Sequence, residues 1–185
     1  MRLFICCELP AAIIQSLGET VDRLRETKAD VSWVRPKSMH VTLKFLGEVS
    51  ADRTAAITEA MRESVFGMVP FVCTVQEMGA FPRLQRPRVY WVGIDDPSGN
   101  LQTMAQRLEE NLCRQGFARE ERPFRPHLTL GRVRSIRGVE NVLERIEREN
   151  SCFGRFEVDE LVLMQSQLDP GGAIYTAMHR QRIGD

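Results

Sequence analysis

Arg35-Pro-Lys-Ser-Met-His40-Val-Thr42-Leu-Lys-Phe-Leu-Gly47 has an echo late in the chain, Arg122-Pro-Phe-Arg-Pro-His127-Leu-Thr129-Leu-Gly-Arg132. Both read Arg-Pro, three residues, His, an apolar residue, Thr, Leu. The chain has 3 histidines, and two of them hold the same place in this phrase. His40 to Leu46 alternates as a strand does, with Val41, Leu43 and Phe45 on one face and His40, Thr42 and Lys44 on the other. In the second copy the same period puts His127, Thr129 and Gly131 together, with Leu128 and Leu130 behind them. Arg125 joins the His127 face if the strand extends back past Pro126.

Working outward, residues 2–9 read as a short buried strand, and Pro10 opens a helix with Ile13, Ile14, Leu17, Val21 and Leu24 at helical spacing. Residues 29–35 read as a connection. Gly47 ends the first motif strand, and Ser50 is placed to cap a helix over about 51–66. Phe71 to Met78 and Val89 to Ile94 read as strands around a basic loop, Phe81-Pro-Arg-Leu-Gln-Arg-Pro-Arg88. A helix over about 98–115 carries Leu101, Met104, Ala105, Leu108 and Leu112, with Gly116 just past its end. A further helix over about 138–149, a strand over 156–167, a turn at Asp169-Pro-Gly-Gly172 and a strand over 173–182 complete the chain. The pattern predicts α+β with mainly antiparallel sheet. Each half carries a helix, an Arg-Pro-x-x-x-His strand and another helix. That predicts one domain over 1–185 built of two intertwined, pseudo-twofold-related lobes, with the motif strands at their interface.

Length and composition fit this. The 185 residues are 43% hydrophobic and 27% charged, with 25 basic and 25 acidic side chains, so a wholesale polyanion-coating protein is not expected, although a local basic groove is. Apolar runs are short and broken by charge, which predicts no membrane span. The start, Met1-Arg-Leu-Phe-Ile-Cys-Cys-Glu8, turns polar too soon for a signal peptide. The 5 cysteines form no CxxC and lie mostly in apolar runs, which predicts reduced, buried thiols in a cytoplasmic protein. Nothing points to an oligomer, and a monomer is expected.

A strand carrying His-x-Thr presents an imidazole and a hydroxyl in one direction from a rigid platform. Two such strands across a groove give two imidazoles, one to donate a proton and one to accept it, and two hydroxyls to hold anionic oxygens. A phosphodiester needs that set. A lone strand histidine is more often a bonded structural residue, and His179 is read so. Two in one repeated phrase are hard to credit to chance. Each motif offers one good metal ligand and no carboxylate, so no metal or other cofactor is expected. There is no GxxxxGK[ST] loop, and no cysteine stands in either motif. Lys44 and Arg125 are candidate phosphate contacts. Arg83, Arg86 and Arg88 read as solvated surface, with a groove lining as the alternative.

His40-Val-Thr-Leu and His127-Leu-Thr-Leu resemble the two HxTx motifs of the two-histidine phosphoesterases. The whole chain resembles the bacterial and archaeal RNA 2′,3′-cyclic phosphodiesterases, long named 2′-5′ RNA ligases. Arg2-Leu-Phe-Ile, Trp33-Val-Arg-Pro, His40-Val-Thr-Leu-Lys-Phe-Leu-Gly, Phe124-Arg-Pro-His-Leu-Thr-Leu-Gly-Arg and Leu161-Val-Leu-Met-Gln-Ser fit in that order. The resemblance implies a bilobal fold whose antiparallel sheets line a central groove, with helices outside. It implies metal-independent hydrolysis of a terminal 2′,3′-cyclic phosphate to a 2′-phosphate. His40 would be the proton donor, His127 the proton acceptor, and Thr42 and Thr129 the phosphate holders. It also implies ATP-independent 2′-5′ ligation as the reverse reaction. The near-symmetry of the two motifs does not itself decide which histidine is the acid. Two other readings stand beside this one: a non-catalytic module that binds RNA 3′ ends, and a phosphodiesterase for another small cyclic phosphate.

Overall fold

The computed structural model describes residues 1–149, 152–169 and 172–184. In chain order the elements are β1 (Arg2–Cys7), α1 (Ala11–Arg25), β2 (Val31–Trp33), β3 (Val41–Glu48), α2 (Thr54–Val65), β4 (Phe71–Phe81), β5 (Val89–Asp95), α3 (Asn100–Arg114), β6 (His127–Val133), α4 (Val139–Arg148), β7 (Cys152–Val158), β8 (Glu160–Asp169) and β9 (Gly172–Arg182). Short 3-10 turns precede β3 and α2.

The strands form two sheets, ordered β3-β1-β8-β9 and β2-β6-β5-β4-β7, and every pairing is antiparallel. Helices α2 and α3 pack on each other and against β9 and β3, so they back the first sheet. Helix α1 packs against β7 of the second sheet, where Gly154 leaves room for Ile13. Helix α4 is tied to α1 by Arg23–Glu149 at 3.0 Å and Arg145–Glu26 at 3.2 Å. The chain therefore passes back and forth between two lobes, each a sheet backed by two helices among the described residues. The faces turned away from the helices meet across a groove, and β3 approaches β6 there.

Helix positions follow from their apolar stripes. Ile13, Leu17, Val21 and Leu24 of α1 are all buried, as are Leu101, Met104, Ala105, Leu108 and Leu112 of α3. The start of α3 is fixed by Asp96, whose carboxylate accepts from the Leu101 N–H at 2.7 Å and the Ser98 N–H at 3.1 Å. Its end is fixed by Gly116 at φ 80.

Five local readings change. Residues 31–33, expected as connection, form edge strand β2 on β6; three residues around a polar Ser32 are too few for alternation to register. Gly47 lies inside β3 at φ 70 and does not end it. Ser50 makes no capping bond to α2, because the turn Ala51–Arg53 intervenes. Strand β4 runs on to Phe81, past the expected Met78, because a bulge at Glu77, φ 63, restores its pairing with β5. The stretch read as a strand over 156–167 is two strands broken at Asp159: β7 joins the second sheet and β8 the first. Of the expected turn at residues 169–172, Pro170 and Gly171 lie outside the described residues.

Candidate active site

His40 immediately precedes β3 and His127 begins β6, so each imidazole stands at a strand entrance. Each has a backbone partner two residues behind it. His127 Nδ1 lies 2.6 Å from the carbonyl oxygen of Arg125, two residues back. A carbonyl only accepts, so that bond places the proton on Nδ1 and leaves Nε2 free to exchange one. His40 is bonded to the backbone of Ser38, again two residues back. His40, Thr42, His127 and Thr129 all line one groove of about 1430 Å³ between the sheets. Both motifs thus border the same groove.

Past each threonine the alternation fails. In the β1–β3 ladder Thr42 pairs with Cys6 and Lys44 with Ile5, leaving Leu43 as an extra residue. In the β5–β6 ladder Thr129 pairs with Trp91 and Gly131 with Tyr90, leaving Leu130 extra. One inserted residue exchanges the faces of everything after it. Lys44, expected beside His40, therefore turns toward the helices. It is 7% exposed, its Nζ lies 2.8 Å from Glu109 Oε2 of α3, and it donates to the Ala118 carbonyl at 2.8 Å. That geometry corrects the expectation that Lys44 offers its charge to a phosphate. Phe45, expected behind the strand, comes round to the groove, is 64% exposed, and sits 6.1 Å from the Phe4 ring centroid. In the second copy Gly131 turns inward against Trp33 and Tyr90, correcting its placement with His127, and Arg132 takes the groove-facing position equivalent to Phe45.

Arg125 is exposed and lines the groove, although it lies before β6 begins. Of the basic loop, Phe81, Pro82 and Arg88 line the groove, and Arg83 and Arg86 do not. His179 is on β9 opposite Leu163, a residue of the helix-side core, and takes no part. Sequence reasoning missed Phe45, Arg132, Tyr175, Phe4 and Arg2. Phe45 and Arg132 hold equivalent places in the repeat, three residues after the threonine, but no residue in the first copy marks the insertion that turns them to the groove. The others come from β1 and β9, which carry no motif.

The two imidazoles have different surroundings. Phe4 stacks on His40 at 4.6 Å between centroids and 24° between planes, and Tyr175 presents its edge at 5.2 Å. This burial is the main influence on His40 and lowers its pKa to about 4, although the Ser38 backbone bond and the charge of Glu8 act the other way. His127 meets one aromatic edge, Phe81 at 5.2 Å. Around both, the groove is lined by six arginines, Arg2, Arg88, Arg119, Arg122, Arg125 and Arg132, against Glu110 and Glu120, while Lys44 and Glu109 neutralise each other. In a chain of formal charge zero, that concentration marks the groove as a site for an anion. No group of three or more metal-ligating side chains occurs among the described residues.

Such a site can take a proton on one side of a bound anion and give one on the other, and can hold its oxygens between. Comparison with known proteins agrees in sequence and in shape. A family model described as the 2′-5′ RNA ligase superfamily matches residues 14–170. The chain is 33% identical over 184 residues to the RNA 2′,3′-cyclic phosphodiesterase of Methanothermobacter thermautotrophicus, covering 99% of each. It is 36% identical over 176 residues to the protein of that name from Archaeoglobus fulgidus, covering 95% of this chain and 96% of that one. Among solved structures it is similar to TT0787 of Thermus thermophilus, with TM-score 0.82 and 25% identity over 99% of this chain and 98% of that one. It is also similar to Escherichia coli LigT complexed with 3′-AMP, with TM-score 0.76 and 27% identity over 100% of this chain and 98% of that one.

Proposed function

The chain belongs to the 2′-5′ RNA ligase superfamily and hydrolyses the cyclic phosphate of an RNA 2′,3′ end, and from that premise we propose that His40 and His127 carry the two proton transfers of the reaction. The observation that supports this is the repeated geometry. Each imidazole is tied to the carbonyl or backbone two residues behind it, each has a threonine two residues ahead, and both border one basic groove.

In this reading the cyclic phosphate lies between the motif strands. His127 Nε2 takes a proton from water as the oxygen attacks phosphorus. His40 gives its proton to the departing 3′ oxygen, and the product is a 2′-phosphomonoester. Thr42 and Thr129 donate to the non-bridging oxygens. Arg132, with a planar fork matched to two of those oxygens, neutralises charge that builds on them. Arg125 adds positive charge at the rim. No proton moves to or from a metal in this scheme. With a hydroxyl in place of water as attacking group, the same machinery makes a 2′-5′ linkage without ATP.

Giving His40 the donor role fits its surroundings once the anion is present. In the free chain burial keeps the imidazole neutral near pH 7. A phosphate beside it favours the charged form, and an imidazolium in a dry aromatic setting surrenders its proton readily. Phe45, exposed on the same face, is suited to stack on the terminal base.

We take the acting form to be a monomer in the cytoplasm, folded as one unit over residues 1–185. The five free cysteines accord with a reducing compartment; Cys6, Cys7 and Cys73 are buried as expected, whereas Cys113 is half-buried and Cys152 exposed. No helix among the described residues is long and apolar enough to cross a membrane.

The test is turnover of a 2′,3′-cyclic nucleotide by His40→Ala and His127→Ala in excess chelator. Each variant should lose about 10²-fold or more of kcat while keeping the native circular dichroism spectrum. Wild-type activity in either variant, or no activity of the parent in chelator, would overturn the assignment.

A further inference from the structure

We propose that residues 117–126, between α3 and β6, form the seat for nucleotides upstream of the cyclic end, and that the buried Lys44–Glu109 pair positions this seat. The inference rests on the site reading above and extends it from the terminal phosphate to the chain behind it.

The groove holds about 1430 Å³, more than the roughly 300–1,000 Å³ typical of small-ligand pockets. The motif strands account for its centre. Much of the remaining wall is this connecting segment, which contributes Arg119, Glu120, Arg122, Pro123, Phe124 and Arg125. Three arginines and an aromatic ring on one strip are the materials with which proteins follow a single-stranded backbone. The acidic side chains on the same wall are partly occupied. Glu109 is paired with Lys44, and Glu120 turns back to accept from the Arg122 N–H at 3.2 Å. Glu110 of α3 also borders this wall.

The strip has no strand or helix of its own, so something else must hold it. Lys44 and Glu109 do so from beneath. Glu109 Oε1 accepts from the Glu120 N–H at 2.7 Å and from Lys44 Nζ at 2.9 Å, while Lys44 also donates to the Ala118 carbonyl at 2.8 Å. The far end is pinned where the Ile94 N–H donates to the Pro126 carbonyl at 3.3 Å. Lys44 follows Thr42 by two residues on β3, so the pair couples the seat to the strand that carries the first motif. Lys44 and Glu109 are positioning residues, acting through the strip they anchor.

The experiment compares kcat/KM for a pentanucleotide ending in a 2′,3′-cyclic phosphate with that for a 2′,3′-cyclic mononucleotide, and takes the ratio. The parent should favour the pentanucleotide by more than tenfold. Arg119→Ala/Arg122→Ala should lower the ratio about tenfold through KM. It should also flatten the salt dependence of the pentanucleotide KM by about 0.7 log units per log unit of salt for each phosphate left without its arginine. Glu109→Ala, which removes no positive charge, should lower the ratio as well, and Glu109→Gln, which keeps an acceptor for the Glu120 N–H, should lower it less. An unchanged ratio in the arginine double variant overturns the proposal, and if Glu109→Ala does not fold that variant decides alone. Parent turnover of both substrates at equal kcat/KM also overturns it while leaving the site reading intact. Turnover of neither would sink the site reading itself.

Discussion

Leu43 and Leu130 occupy the same point of their strands: each is the unpaired residue that follows a His-x-Thr, and each is buried. The two halves of the site are alike in sequence and also in this departure from regular pleating. The bulge sends Lys44 and Gly131 inward and brings Phe45 and Arg132 to the groove. One lobe thus offers an aromatic ring where the other offers a guanidinium.

That asymmetry predicts different failures for the two positions. Arg132→Ala should lower kcat by about 10²–10³-fold, the usual cost of removing a donor aimed at developing negative charge. Arg132→Lys should recover only part, because a point charge cannot reproduce a two-pronged contact. Phe45→Ala should act mainly on KM, by about tenfold or more if the ring stacks on a base, with Phe45→Trp close to the parent. Steady-state kinetics on a cyclic mononucleotide separates the two, and a pure KM effect at Arg132 would remove it from the phosphate.

Burial of His40 predicts a pH-dependent term in stability. Its folded pKa, about 4, lies below the ordinary histidine value, so between these limits the unfolded chain binds the extra proton. Stability linked to this residue is fully present above about pH 6.5 and is lost as pH falls toward about 4. Denaturant titrations of the parent and His40→Gln across pH 4 to 7 should therefore converge at the acid end. The imidazole signal, followed by NMR, should titrate near 4 in the free protein and higher with a nucleotide 2′-phosphate bound. No change on binding would argue against His40 as the donor.

The sequence was a reliable guide up to the bulges and not beyond them. His40, Thr42, His127 and Thr129 were legible because a period of two holds as far as the threonine. Lys44, Phe45, Gly131 and Arg132 were misplaced or passed over because nothing in His-Val-Thr-Leu-Lys-Phe announces an inserted residue; no glycine marks the first bulge. The helices were legible from their stripes. The break at Asp159 was not, since Phe156, Val158, Leu161 and Leu163 read as one apolar run although they belong to different lobes. Tyr175 and Phe4 reach His40 through the pairing of β1 and β9 with β8, a tertiary relation that no local pattern records.

The Lys44–Glu109 pair predicts a strongly non-additive cycle. Lys44 is 7% exposed and the Glu109 side chain 20%, so Lys44→Met leaves a largely buried carboxylate without its partner, at about 3–5 kcal/mol. Lys44→Met/Glu109→Met removes both charges and should recover much of that loss, because neither desolvated charge is then left alone. Denaturation midpoints at fixed pH measure all four corners. Simple additivity would mean that the two groups do not interact in solution.

Gly131 joins packing to catalysis. A Cβ there would lie 2.7 Å from the Trp33 ring and 2.7 Å from Val31 Cγ1, both on the three-residue edge strand β2. Trp33 has little room to retreat, since it stacks on buried Tyr90 at 5.8 Å. Gly131→Ala should therefore cost about 1–3 kcal/mol of stability through overpacking. Because Arg132 is the next residue, the strain should also displace its guanidinium and lower kcat more than KM. Gly131→Ala/Trp33→Leu, which relieves the contact with the ring and leaves the one with Val31, should lose less stability than the two single changes added together. Kinetics at the parent level in a destabilised Gly131→Ala would show that Arg132 is held independently of β2.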